Sequence, residues 1–134
     1  MLTRRLCKWF ERIFGAEYEN RGKRSIEEVI ARAEKKGFLR ILVVYETHGN
    51  PESLNFLQEK WLEPVIFLKN VRFHDSAKRV KGNPELIAVD VAGKKFVELF
   101  NCVFEENYCK AFFSKEKIWF EQDGEVVGPE LVLK

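Results

Sequence analysis

The stretch from Ser25 to Tyr45 constrains the fold more than any other part of the chain. Ser25 and Glu28 stand at capping-box spacing, where a hydroxyl and a carboxylate satisfy orphan backbone N–H groups at a helix start. Ile26, Val29, Ile30 and Ala33 recur at i, i+3, i+4 and i+7, one face of an α-helix, and Gly37 stops it. Leu39 to Tyr45, LRILVVY, follows directly as a β-branched and almost uninterrupted apolar run. Such a run suits a strand covered on both faces, as in a sheet flanked by helices. A capped helix, a turn and a doubly covered strand in that order predict an α/β layer architecture.

The remaining pattern fits one unit of that class. Leu6, Phe10 and Ile13, widened by Cys7 and Phe14, predict a first helix from about Thr3 to Phe14, with Gly15 as its stop. Arg4, Arg5, Lys8 and Arg12 lie mostly off that stripe, and a short extended piece, Ala16 to Glu19, follows. Residues 47–64 read two ways: Asn50-Pro51 can open a helix carrying Leu54, Leu57 and Trp61, or Leu54, Phe56 and Gln58 can alternate along a strand. Pro64–Phe73 and Leu86–Val91 read as strands, with a loop or short helix over His74–Pro84 between them. Phe96, Leu99, Phe100, Val103 and Phe104 predict a helix over 94–107. Ile118–Gln122, the turn Asp123-Gly124 and the residues from Glu125 onward predict a hairpin. The tripeptide GNP at 49–51 and 82–84 is a repeated turn rather than a duplication.

Composition narrows the class of function. The chain has 134 residues, 46% of them apolar, with twelve Phe and three Trp, enough to fill one core. No apolar run approaches the roughly 18–20 residues of a membrane span, and MLTRRLCKWFERIF is too charged for a secretory signal. Cys7, Cys102 and Cys109 lack CxxC spacing and have only His48 and His74 to join them, so the expectation is buried free thiols in a reducing cytoplasm and no metal site. No GxSxG, HExxH or GxxxxGK[ST] motif is present. Glu105-Glu106, adjacent on a helix, would point about 100° apart and could not flank one bond. A lone His48 is no catalytic constellation. The expectation is no catalytic residue and no cofactor.

Charge is unevenly spread. Residues 1–24 hold seven Lys/Arg against three Glu, and residues 96–134 hold four Lys against eight Asp/Glu. Three cations and a permissive glycine, Arg21-Gly22-Lys23-Arg24, stand just before the capped helix, where free N–H groups and the positive dipole end favour an anion. Arg4, Arg5 and Lys8 could extend that site into a phosphate-binding stripe. A solvated, solubilising turn explains the same residues equally well.

Thr3-Arg4-Arg5-Leu6, Asn20-Arg21-Gly22-Lys23-Arg24-Ser25, LVVYETHGNPESL (42–54), PVIFLKNVRFHD (64–75) and VGPELVLK (127–134) occur in the order found in one group of proteins. Together they resemble the Brix-domain family of ribosome-assembly proteins, over essentially the whole chain from residue 3. The resemblance implies a single domain, 1–134, with an α/β Brix fold of two similar halves, each similar to the anticodon-binding domain of class IIa aminoacyl-tRNA synthetases. It favours strand over helix for 53–60, and the compact form looks like that of archaeal members. The family's usual first strand has no counterpart ahead of Thr3: either that strand is absent, which would expose a sheet edge or part of the core, or translation starts further upstream. Glu63 also stands where the family usually has Gly before Pro64.

The implied function is non-catalytic binding of ribosomal RNA or pre-rRNA in the cytoplasm during ribosome biogenesis, with ribosomal or assembly proteins as further partners and no membrane or small-molecule substrate. Carried over residue by residue, the RNA-binding candidates are Arg4, Arg5, Arg21, Gly22, Lys23 and Arg24, with His48, Gly49 and Asn50 as a second loop; Lys8 joins them from the basic face of the first helix. The alternative is a protein–protein scaffold in a ribonucleoprotein assembly that uses the open sheet edge or the acidic C-terminal part.

Overall fold

The predicted first helix forms as α1 (Leu2–Phe14), and its stripe becomes the centre of the molecule. Leu6 and Ile13 are fully buried and Trp9 and Phe10 nearly so, each such side chain contributing roughly 1.5–3 kcal/mol by leaving water. Gly15 ends the helix in the left-handed conformation, as expected. Met1 supplies no side-chain cap. Instead Thr3 donates from N and Oγ1 to Gly49 O, at 3.1 and 2.9 Å, so a distant turn satisfies the helix start.

The computed structural model describes residues 1–76 and 79–134. After α1 come α2 (Ile26–Lys35), β1 (Ile41–Thr47), β2 (Asn50–Gln58), β3 (Lys60–Trp61), β4 (Ile66–His74), β5 (Pro84–Ala88), α3 (Val91–Phe100), β6 (Cys109–Phe113), β7 (Lys117–Gln122) and β8 (Glu125–Leu133). The strands form one eight-stranded mixed sheet in the order β1-β2-β4-β8-β7-β6-β5, with β3 paired to β2 off that path. All neighbours are antiparallel except β5 and β6, which run parallel around α3. Leu54 and Phe56, Ile66 and Leu68, Ala111 and Phe113, Ile118 and Phe120, and Leu131 join Leu6, Phe10 and Ile13 in one buried cluster. Phe100 is its aromatic hub, with ring centroids of Phe10, Phe14, Phe56 and Phe113 at 6.0, 5.3, 5.0 and 5.1 Å.

The α/β class, the three helices and the strand reading of 53–60 hold. Ser25 caps α2, its Oγ accepting from Glu28 N at 3.2 Å. Several expectations need correction. The strand expected to be covered on both faces, β1, is only half-buried over Ile41–Val44, because it lies at the end of the sheet. The third helix begins and ends earlier than 94–107. Asp90 Oδ1 accepts from Gly93 N at 2.8 Å and starts it, and Asn101 in the left-handed conformation closes it, leaving Val103 97% exposed and Glu105-Glu106 in a loop. The last carbonyls of α3 are satisfied from another element, Arg40 Nη1 donating to Glu98 O and Leu99 O. The strand expected over Leu86–Val91 lies at Pro84–Ala88, and β6 is a strand that sequence pattern did not announce. Across the segment read as a loop or short helix, residues 75–76 and 79–83 are irregular, and 77–78 lie outside the described residues.

Candidate nucleic-acid interface

α1 buries one face and leaves its basic residues on the other. Arg5, Lys8 and Arg12 are spaced i, i+3 and i+7, so they line up along the helix over about 10 Å at 1.5 Å per residue. Opposite them stand the end of β4, the segment after it and the start of β8. Between the two lies an open basin of about 490 Å³, lined by Arg5, Lys8 and Arg12 on the helix side and by Phe73, His74, Asp75, Ser76, Arg79, Val80 and Gly128 on the other, with Trp9 in its floor.

Ring contacts and backbone geometry hold this basin in shape. The Arg5 guanidinium lies 4.0 Å from the Phe73 ring centroid and Arg12 lies 5.1 Å from that of Trp9. The aromatic surfaces thus orient the guanidinium planes while their N–H groups stay accessible. Trp9 reaches its place because β8 has no side chain at Gly128, where φ is +64° and an added Cβ would fall 2.4 Å from the indole. Among the described residues Trp9 Nε1 is buried without a hydrogen-bond partner. Among the described residues four cations, Arg5, Lys8, Arg12 and Arg79, face the basin against one carboxylate, Asp75. Asp75 is fully exposed and 3.7 Å from Arg5, a pair too solvated to neutralise the site. His74 Nε2 and Lys117 Nζ both engage Glu130, at 3.3 and 3.1 Å, and hold its carboxyl below the usual carboxylate range, Lys117 contributing most.

The Arg21–Arg24 turn lines a second concavity, about 500 Å³, with Asn20 and Glu28. Gly22 takes φ +58°, and an added Cβ would meet nothing, so backbone conformation rather than space selects glycine here. Two of the three cations are spent on the turn itself. Arg21 Nε donates to Arg24 O at 2.9 Å, and Arg24 Nη1 donates to Asn20 O at 3.2 Å. Glu27 and Glu28 occupy the first turn of α2 and offset the dipole that would draw an anion. The segment ahead is tied down by Glu19, which accepts from Arg32 and Lys36 and is held at about 2 by those hydrogen bonds.

The structure therefore divides the sequence-predicted residues among four places. Arg5 and Lys8 line the basin, whereas Arg4 is exposed on α1 outside it. Arg21, Gly22, Lys23 and Arg24 form the second concavity. His48 and Gly49 form the β1–β2 turn, which holds the first turn of α1 through Gly49 O, and Asn50 is the first residue of β2. Sequence reading missed Arg12, Arg79, His74, Phe73 and Trp9. Arg12 continues the Arg5–Lys8 spacing and could have been found; the others converge only through the sheet. The thiols expected to be buried are buried or half-buried. Burial raises Cys7, beside Glu46, and Cys109 to about 11.

No model of a known protein family matches the chain. Two curated relatives bear the name probable Brix domain-containing ribosomal biogenesis protein. The chain is 39% identical to that of Archaeoglobus fulgidus over 85 residues, 60% of this chain and 52% of the relative, and 35% identical to that of Methanothermobacter thermautotrophicus over 89 residues, 61% and 55%. The match thus spans about half the length of each relative. Among solved structures, a probable ribosomal biogenesis protein from Aeropyrum pernix and an archaeal Imp4-like protein called Mil each align with a TM-score of 0.67 at 24% identity. They cover 97% and 98% of this chain and 88% of theirs. The resemblance to Brix-domain proteins read from the sequence is borne out by these relatives, and the solved structures share the fold.

Proposed function

We propose that this chain is a non-catalytic factor of ribosome biogenesis that binds ribosomal RNA or its precursor through phosphates seated in the α1 basin. The observation that carries this reading is the convergence of Arg5, Lys8 and Arg12 from α1 with Arg79 from a distant segment on one concave surface, where Asp75 is the single acid among the described lining residues. Phosphate contacts fix register and orientation without reading sequence, so such a basin selects a folded RNA by where its backbone runs. The Arg21–Arg24 turn, with Lys23 uncommitted to the turn's own carbonyls, is a secondary contact. Support for a non-catalytic role comes from the thiols, which burial keeps protonated and poorly nucleophilic. The cytoplasm and the finer fold reading, two halves like anticodon-binding domains, belong to this proposal. The latter is supported by two three-stranded antiparallel meanders, β1-β2-β4 and β6-β7-β8.

Filter binding to a structured rRNA fragment across a salt series tests the reading. Each phosphate neutralised contributes roughly 0.7–0.9 to the slope of log affinity against log salt. Changing Arg5, Lys8 and Arg12 together to Ala is expected to lower the slope by roughly 2–3 and weaken binding to unrelated RNAs alike. An unchanged slope, or affinity insensitive to salt in the parent chain, would refute the basin.

A further inference from the structure

Guanidinium groups in this fold are used in two ways. Arg21, Arg24, Arg32 and Arg40 donate hydrogen bonds to backbone carbonyls, a carboxylate or a side-chain amide, so their N–H groups are spent on the fold. Arg5 and Arg12 differ. Each lies over an aromatic ring, Arg5 4.0 Å from the Phe73 centroid and Arg12 5.1 Å from that of Trp9, and both remain exposed. Among the described residues neither guanidinium donates a hydrogen bond, and the carboxylate beside Arg5, Asp75, is itself fully solvated. A guanidinium backed by a ring is held flat on one face, and its other face is a planar, weakly hydrated surface.

Such planes bind one thing that phosphate-directed cations do not, the face of an unstacked nucleobase. Their spacing fits a nucleic-acid strand. Arg5 and Arg12 are seven residues apart, about 10 Å along α1, with Lys8 between them on the same side. Along the helix wall the order is therefore plane, ammonium, plane, the order of base, phosphate, base in one unpaired dinucleotide step. Arg79 faces them from the opposite wall. The basin's volume, about 490 Å³, is that of a small-molecule pocket and suits a nucleotide or two. Double-stranded RNA is recognised differently, by a surface that tracks shape over about 16 base pairs. Within a duplex each base is covered by its neighbours, which leaves a guanidinium plane nothing to stack on.

We infer that the α1 basin selects unpaired RNA, with one base laid on the free face of the Arg5 guanidinium, the next on that of Arg12, and the phosphate between them held by Lys8 and Arg79. This rests on the reading of the basin as an RNA site and adds which form of RNA it takes. Arg5, closer to its ring, is the stronger of the two platforms. Every base has a flat face, so the stacking tolerates any sequence and demands only that the bases be free. Arg21 and Arg24 have no part in it, because neither lies over a ring and both are committed to their own turn.

Fluorescence anisotropy of the full chain with three RNA probes of about twelve nucleotides, read across a salt series, tests this. The probes are an unstructured strand, that strand annealed to its complement, and the same phosphodiester backbone without bases. The parent should bind the unpaired strand roughly fivefold or more tighter than either other probe, although the duplex carries more charge. Arg5→Lys keeps the charge and loses the plane. It should weaken binding of the unpaired strand roughly fivefold, bind the base-free backbone as the parent does, and leave the salt slope and melting temperature unchanged. If the parent binds no probe, or if Arg5→Ala/Lys8→Ala/Arg12→Ala keeps the parent's salt slope, the basin is not an RNA site and base stacking falls with it. If that triple variant lowers the slope but the duplex or the base-free backbone binds as tightly as the strand, the basin grips RNA backbone alone and stacking is ruled out. Arg5→Lys matching the parent on the unpaired strand rules it out as well.

Discussion

Gly128 on β8 lies directly against the indole of Trp9 on α1: a Cβ built there would sit 2.4 Å from Trp9 Cη2 and Cζ2. The backbone at Gly128 also has φ +64°, which side-chain-bearing residues adopt at a cost. Gly128→Ala therefore combines strain with overpacking of a ring that floors the basin. We expect a loss of about 2–4 kcal/mol in denaturant unfolding. A loss below about 0.5 kcal/mol would show that Trp9 can move freely.

The basin separates Arg12 and Arg79, which line it, from Arg4, which does not. Arg12→Ala and Arg79→Ala should each weaken RNA binding and reduce the salt slope by roughly 0.7–0.9, while Arg4→Ala leaves both nearly unchanged. Equal effects from all three in the same titration would mean that overall charge, rather than this surface, governs binding.

Within the second concavity the three cations should behave differently. Arg24 closes the turn by donating to Asn20 O, and Arg21 by donating to Arg24 O. Lys23→Ala should weaken RNA binding modestly with no change in thermal unfolding. Arg24→Ala should loosen residues 20–24, read as faster amide exchange there, whether or not RNA is present.

Glu130 joins β8 to Lys117 on β7 and His74 on β4. Its depressed carboxyl, held down first by Lys117, stabilises the fold at pH values above the ordinary carboxylate range. That contribution fades as pH falls through the depressed value. Thermal melts should show the parent more stable than Glu130→Gln by no more than about 1 kcal/mol near neutrality, with the gap closing in acid. A gap that widens on acidification would contradict the assignment.

Local signals were legible wherever a residue's conformation depends on near neighbours. Ser25 caps α2, Gly15 ends α1, and Asp123-Gly124 turns β7 into β8, because each requirement is met within a few residues. The third helix misled because Val103 and Phe104 continue its period by coincidence, while Asp90, a competent cap, lay outside the apolar stripe. Residues 50–58 were undecidable from pattern alone; pairing with β1 and β4 makes them a strand.

The sequence by itself determined the α/β class, the two capped or glycine-stopped helices and the basic character of α1, since periodicity and capping are local physics. Only the tertiary structure decided that Arg5, Lys8 and Arg12 face Arg79 and His74 across one basin, and that Ile41–Tyr45 is the last strand of the sheet among the described residues instead of an inner one. Both outcomes depend on strand order, and strand order is set by contacts between residues far apart in the chain, which no local pattern encodes.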